Sequence, residues 1–591
     1  MRSFVILFLI CSLGLTAQVN RLAENYMAKG EYVKALALYE KDYESNPNNT
    51  RYINSLLKAY QALERFQSVD SIIEITLTKR PFLVQYFVEK GYNASLKGQS
   101  SEAEKLYQKA LEEVEQEPRY SYAVARAFQD YNLLDYAIDT YEKAMKASDK
   151  YNFTAQLASL YGEKGDYANM FERYLQLIET NTSYRARALN LFSRYITEDK
   201  ENEANVLLRE ALLKKIQSSQ DLMFNSMLSW LFVQQNEFSK AFIQEKAIYN
   251  RTKSSLFDIQ ELADLSFDAE NYSAAKPMYD FVLENAQDRS TRLSSERMLL
   301  KIKALESAAS NKSGIEKAYV ELLSDYQWRT DTYLIQLDYA ELIAFEYKNI
   351  DKAKEILQQL VEQPFNDFQM ARIKMLYADI LVLEESFNRA LIFYTQIQRA
   401  LPNDVLAQEA QYKVAKTSFY KADFDYAETQ LDVLSSATSK LIANDALKLL
   451  LSIRDNRVSD SLEEALKKYA MVDLKIYQQQ EDQAIQQLEA ILEQHKGNPI
   501  EDEVLLALAK LQLENARYNE AEKNLRTLLQ NHQDSVYRDE ALFTLAQVLE
   551  EQLNQPEAAK DIYEQLILNH ADSVYVVEAR KRYRKLRGDI L

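Results

Sequence analysis

The sequence predicts an all-α protein, an array of antiparallel helical hairpins stacked one on the next. Three observations carry that reading. Helix breakers are scarce, with nine glycines and eight prolines in 591 residues, while Ala, Leu, Glu, Lys and Gln are abundant. Aromatic residues and alanines recur at helical spacing, and the pattern returns roughly every 34 residues. Tyrosine reaches 40 residues, an excess that stacking would explain if each ring sits inside and each hydroxyl reaches water at the rim.

Taken in order, the chain opens on MRSFVILFLICSLGLTAQVN. Arg2, an apolar stretch from Phe4 to Leu15 and the small residues Thr16 and Ala17 form the pattern of a secretory signal peptide over residues 1–17, with cleavage expected between Ala17 and Gln18. The apolar run is short for a membrane span; an uncleaved anchor is the alternative. Ile10 precedes Cys11 and the apolar run continues beyond it, which argues against lipidation there. Cys11 is the only cysteine, so a processed chain has no disulfide, zinc–thiolate site or cysteine nucleophile.

Charge narrows the partners. The chain carries 71 Lys+Arg against 89 Asp+Glu, formally −18, and loss of Arg2 with the signal takes it to −19. Nucleic acid is not expected as a partner, because phosphate binding needs a basic footprint. One basic cluster stands out near the end, with Arg580, Lys581, Arg582, Arg584, Lys585 and Arg587. It reads as a solvated last helix with cations at its negative end; attachment to an anionic surface or partner, including peripheral membrane association, is the second reading.

The repeat is visible when the chain is laid against itself. AKGEYVKALALYEKDYESNP (28–47), LKGQSSEAEKLYQKA (96–110), DYNLLDYAIDTYEKA (130–144), EKGDYANMFERY (163–174), FNRALIFYTQIQRALP (387–402) and YNEAEKNLRTL (518–528) share one template. A Gly or polar turn is followed by an aromatic, an Ala three residues on, and an aromatic or Leu four further on. The small residue at Ala35, Ala103, Ala137, Ala275, Ala390, Ala427, Ala521 and Ala558 lets two helices approach closely. Hairpins are expected to begin near 18, 50, 84, 118, 151, 185, 222, 256, 290, 334, 371, 408, 465, 502 and 539. Copies at 185, 222 and 290 rest on register more than motif. Pro277 falls inside an expected second helix and should bend it.

These residues resemble the tetratricopeptide repeat, a helix–turn–helix unit. Gly30, Tyr32, Ala35, Tyr39 and Pro47 fill the turn, aromatic, small, aromatic and terminal-proline positions of that motif. The resemblance implies a right-handed superhelical solenoid of about fifteen hairpins with a C-terminal capping helix, since no hairpin can bury its apolar face alone. The expected organisation is an N-terminal array over 18–289, an irregular helical connection over 290–333, middle repeats over 334–437, an intruding helix within 438–464, and C-terminal repeats with the cap over 465–591. The longer spacing over 465–591 resembles repeats of periplasmic proteins of the Tol–Pal and outer-membrane barrel-assembly systems.

NHQDSVYRDEA (531–541) and NHADSVYVVEA (569–579) repeat one turn 38 residues apart. Asp534 or Ser535, and Asp572 or Ser573, are placed to accept from the amides of the next helix. His495, His532 and His570 are the only histidines and occupy matching turns. Stacked helices lie about 8–10 Å apart, so equivalent turns are too far apart to share a metal. No GxSxG, HExxH or GxxxxGK[ST] occurs. No catalytic residue, cofactor, metal or small-molecule substrate is expected, and the chain is not read as an enzyme.

Surface is what remains. In tetratricopeptide proteins the first helix of each pair lines a concave groove that takes a peptide or a partner helix. Carried onto the best-registered copies, those positions are Gln85, Val88, Tyr92, Arg119, Tyr122, Arg126 and Gln129. The Lys and Asn pattern by which some members clamp a partner's C-terminal carboxylate is absent: Val88, Tyr92, Tyr122 and Arg126 stand there. The resemblance and the signal together imply a non-catalytic protein-binding scaffold or adaptor in the periplasm or cell envelope of a Gram-negative bacterium. An accessory or regulatory subunit of an envelope enzyme or secretion complex is the alternative.

Overall fold

The computed structural model describes residues 22–307, 312–435, 440–457 and 459–588. The signal segment and Cys11 lie outside them. The described residues are helical throughout, without a β-strand among them. Contacts divide the chain between Gln234 and Gln235 into two compact units.

In the first unit the expected hairpin starts meet helices Thr50–Ala62, Gln85–Leu96, Thr154–Lys164, Tyr184–Phe192 and Met223–Gln234. The start expected near 118 meets a 3-10 turn, Pro118–Tyr120, leading into Ser121–Asp130. In the second unit they meet Phe257–Asp268, Arg289–Glu306, Tyr333–Phe345, Asp367–Leu383, Val405–Tyr420, Asp460–Tyr477, Glu501–Glu514 and Arg538–Gln547. The weakly marked copies at 185, 222 and 290 are helices like the rest. The stretched spacing before 333 has a simple origin: Arg289–Glu306 is 18 residues long and is followed by Lys312–Tyr326 and a 3-10 turn, Thr330–Thr332. Within 438–464 an additional helix, Lys440–Asp455, stands between the second helix Phe424–Leu434 and the next first helix. Its Ala446 and Ile453 are fully buried. Helix Tyr272–Asn285 continues without a break through Pro277.

One packing rule repeats along both units. The fourth residue of the second helix is buried, and it is usually alanine. Ala35, Ala137, Ala275, Ala390, Ala427, Ala484 and Ala521 are each 0% exposed in helices that start three residues earlier. A methyl group there sets a short interhelical distance that a larger side chain would prevent. In the last hairpin the helix starts at Pro556, so the buried residue is Ala559. The sequence motif placed Ala558 there; Ala558 is half-buried, one residue out of phase. Met170 takes the position in helix Tyr167–Thr180, and the first helix answers with Gly162, where a β-carbon would come within 2.7 Å of Met170 Sδ.

The turn into most second helices is as regular, helix Glu203–Ser218 being an exception. At the regular turns the residue two positions before the second helix adopts the left-handed conformation. Glycine does so at Gly30, Gly98 and Gly165, but Glu64, Asn132, Glu270, Lys348, Glu385, Ala422, Gln479, Ala516 and Asn554 do so elsewhere. An L-residue in this conformation costs about 1–2 kcal/mol, a load carried by the packing of the two helices it joins.

The tyrosines have a more specific role than reaching water. Their rings are inside, but their hydroxyls donate to carboxylates of the array: Tyr60 to Glu40 at 2.8 Å, Tyr161 to Glu142 at 3.1 Å, Tyr279 to Asp264 at 2.5 Å, Tyr394 to Asp379 at 2.6 Å and Tyr563 to Glu550 at 2.9 Å. Bonds to an ionised acceptor are stronger than neutral ones, and each ties neighbouring helices together at the edge of the core.

The histidines follow three second helices, as C-cap residues His495, His532 and His570. In the twin turns it is the serines that accept: Ser535 Oγ from the Tyr537 amide at 3.1 Å and Ser573 Oγ from the Tyr575 amide at 3.2 Å. The last helix, Val576–Arg587, ends on left-handed Gly588. Its Arg582 turns inward to Glu550 and Glu551 at 3.0 and 2.5 Å, so this cation of the basic cluster is used in packing.

Candidate partner-binding groove

Three successive first helices of the first unit, Ser121–Asp130, Thr154–Lys164 and Tyr184–Phe192, present one side to a groove of about 800 Å³. Their apolar residues Val124, Phe128, Leu157 and Ala188 are buried. The helical period therefore leaves Tyr122, Arg126 and Gln129 facing the groove, with Gln156 and Ser159 from the second helix and Tyr184 and Arg187 from the third. Asn152 and Asn181 border it from the preceding turns.

The lining is polar, aromatic and locally positive in an acidic chain. Asp130 belongs to it but is neutralised by Lys58 at 3.6 Å. Among the described residues, neither Arg126 nor Arg187 has a carboxylate within ion-pair distance. Two guanidinium groups without a carboxylate, several amide side chains, the exposed ring of Tyr122 and the half-buried ring of Tyr184 suit a ligand that carries acceptors and a backbone of its own. Tyr122 is 57% exposed, so most of its ring is free to be covered.

Of the seven residues named from sequence, Tyr122, Arg126 and Gln129 converge on this groove. Val88 does not: it is 0% exposed and belongs to the core with Val84, Tyr107 and Ala110, because it lies on the inward side of helix Gln85–Leu96. Arg119 sits in the 3-10 turn before its helix, bonded to Glu117 at 3.4 Å and to the Tyr120 hydroxyl at 3.1 Å, and is not among the lining residues. Gln85 is half-buried and outside the groove. Tyr92 stacks on Tyr131 with ring centroids 3.7 Å apart. The Tyr131 hydroxyl in turn donates to Glu89, whose carboxyl is pushed up to about 7 by burial. Tyr92 thus covers a buried acid and does not line the groove.

Sequence reasoning missed Asn152, Gln156, Asn181, Tyr184 and Arg187. One signal was present: adding one repeat of about 33 residues to Tyr122 and Arg126 arrives at Ala155 and Ser159, which line the same groove.

Residues 540–573 match the family model of the tetratricopeptide repeat. They span most of Arg538–Gln547, a π-helical turn at Val548–Gln552, and helix Pro556–Asn569 with the turn after it. The resemblance read from the earlier motifs is thus met independently in one late hairpin. No curated protein matches the sequence. Among solved structures, the chain is similar to one in a Naa15/Naa10 complex bound to HypK-THB, at 12% identity, over 96% of each chain and with a TM-score of 0.28. It is also similar to yeast Tom70, at 13% identity, over 96% of this chain and 99% of that one, with a TM-score of 0.26. Likeness at that level speaks to neither function nor partner.

Proposed function

We propose that this protein is a non-catalytic scaffold that binds an extended, carboxylate-bearing segment of a partner protein in the groove of its first unit. The observation that carries the reading is the convergence of Arg126 and Arg187, both without an acidic partner among the described residues, on a groove of about 800 Å³. Ordered side chains on stacked helices cost little further entropy when a ligand arrives. Guanidinium groups recognise carboxylates in a fixed geometry. The signal pattern of residues 1–17 supports placing this scaffold in the periplasm or at the periplasmic face of an outer membrane, where it would hold envelope or secretion components together.

The test is a photo-crosslinking residue introduced at Ser159, in the middle of the groove, followed by mass spectrometry of what is captured in cells. An envelope protein joined through an acidic stretch is the expected product. Capture at Ser159 no greater than at the outer-face position Lys143 removes the groove from consideration.

A further inference from the structure

A cleft in the second unit has the chemistry of a cation receptor. It measures about 310 Å³ and lies between the additional helix Lys440–Asp455, the start of helix Glu501–Glu514, and the first of the twin turns. Asp455, Asp502, Glu503 and Asp534 line it; its one basic lining group is His532, and no lysine or arginine is among the lining residues. His532 Nε2 stands 3.6 Å from Glu501 Oε2, a carboxylate outside that lining, and has no hydrogen-bond partner there among the described residues.

Three oxygens of buried side chains at this cleft lack a hydrogen-bond partner: Glu503 Oε2, Ser452 Oγ and Asn456 Oδ1. Their residues are 5%, 3% and 1% exposed. Asn456 is oriented by its own amide, since Nδ2 donates to the Ser452 carbonyl at 2.9 Å, which fixes Oδ1 as the unused end. Ser452 Oγ lies beside the Glu503 carboxyl and the Tyr537 hydroxyl. Buried polar atoms are nearly always satisfied; Asn456 Oδ1 can only accept, and Ser452 Oγ and an ionised Glu503 Oε2 would accept beside it, so the cleft has a place for a donor from outside.

We propose that this cleft binds an ammonium or guanidinium group, offered either by a lysine or arginine side chain of a protein partner or by a free polyamine. A primary ammonium has three donors and no acceptor, the complement of what the cleft presents. With no such group bound, burial and the adjacent Asp502 hold the Glu503 carboxyl well above the ordinary carboxylate range. The other titratable groups facing it are Tyr469 and Tyr537, whose hydroxyls burial keeps protonated, besides the lining carboxylates and His532; on its other side Glu503 borders a second cleft that holds Lys416, Lys448, Lys510, Asp445, Asp473 and Glu540. A cation entering the cleft would turn Glu503 into its counter-ion, and the carboxyl proton would leave to solvent. The site lies in the other unit from the groove, so it stands or falls independently of the function proposed above.

The experiment is titration calorimetry of the full chain near neutral pH with cadaverine, with the peptide acetyl-Ala-Lys-Ala-amide, and with the same peptide carrying norleucine for lysine. Running each in two buffers of different ionisation heat counts the protons exchanged. Binding of cadaverine or the lysine peptide with release of about one proton per ligand supports the site. Preference for the peptide points to a protein side chain, and preference for cadaverine to a free polyamine. Glu503→Gln keeps the shape of a carboxyl that is neutral when the cleft is empty, so its helicity should equal that of the parent while both proton release and affinity fall, the latter by about tenfold or more. Binding of neither cation, equal binding of the norleucine peptide, cation binding without proton release, or undiminished binding by Glu503→Gln overturns the proposal. The proton count on the parent protein alone keeps the test decisive if the variant does not fold.

Discussion

The ring of Tyr107 fills the space that a side chain at Gly91 would need: a β-carbon at Gly91 would come within 2.4 Å of Tyr107 Cε1. Both residues are buried, on the facing helices Gln85–Leu96 and Ser100–Gln116. Gly91→Ala must therefore push the ring or spread the hairpin, at a cost of about 1–3 kcal/mol. Chemical denaturation should show that loss. Placed in a Tyr107→Leu background, the same substitution should cost less, because the group it collides with is gone; equal costs in both backgrounds would mean that the ring is not the obstacle.

The left-handed turns make a second, two-directional prediction. Gly165 has φ +84°, and a β-carbon there would find no atom within 4 Å, so Gly165→Ala should lose only conformational energy, about 1 kcal/mol. Ala516 stands at the equivalent turn with φ 55°. Ala516→Gly relieves strain but frees the unfolded chain, leaving a net gain of about 0.5 kcal/mol. Thermal melts that moved both variants the same way would contradict this account.

Tyrosine hydroxyls predict an ordering between two otherwise similar substitutions. Tyr279→Phe deprives Asp264 of its 2.5 Å bond. Tyr394→Phe does the same to Asp379, but Lys413 still holds that carboxylate at 2.6 Å. The first should cost about 1–2 kcal/mol and the second less, as read from denaturation midpoints.

Glu89 sets a pH dependence. Burial raises its carboxyl to about 7 from the ordinary glutamate value of 4.5, against opposing pulls from the Tyr131 hydroxyl and Lys58. The folded chain thus keeps a proton that the unfolded chain has released. The stabilisation this proton represents is complete below the unfolded value and is lost as pH climbs to the folded one, amounting to about 3 kcal/mol across that window. Glu89→Gln cannot titrate, so the difference in unfolding free energy between parent and variant should change between about pH 5 and about pH 8 in the sense that the variant gains relative to the parent. A difference independent of pH would leave Glu89 ionised in the fold.

For the groove, Tyr122→Ala combined with Arg126→Ala should weaken partner capture by about tenfold or more. Both side chains are exposed, so helicity and melting temperature should stay as they were. Undiminished capture would remove these two residues from the binding surface.

Much of the fold was legible because its determinants are local. A buried alanine four residues into a helix, with aromatics around it, is written in the sequence at most of the hairpins, Val69 and Met170 taking its place in two. The error at Ala558 shows how narrow that reading is: Pro556 moves the helix start by one residue and the phase moves with it. Helix Arg289–Glu306 and helix Lys440–Asp455 break the period without breaking the packing, which periodicity alone could not explain. The groove was half legible. Tyr122, Arg126 and Gln129 follow from helix position, whereas Arg187 depends on how far one hairpin rotates against the next, and Val88 differs from Tyr92 only by the angle of a single helix about its axis. The acidic cleft was not legible at all, since Asn456, Glu503 and Asp534 come together only through the additional helix.

The bends that enter most second helices have a practical meaning for the chain as a modular object. Glutamate, lysine, glutamine, asparagine and alanine all occupy that bend, so its geometry is imposed by the two helices it connects. Hairpins taken from different places along the array should therefore be interchangeable by cutting and rejoining at those residues, with the new seam tolerating side chains unbranched at the β-carbon as well as glycine.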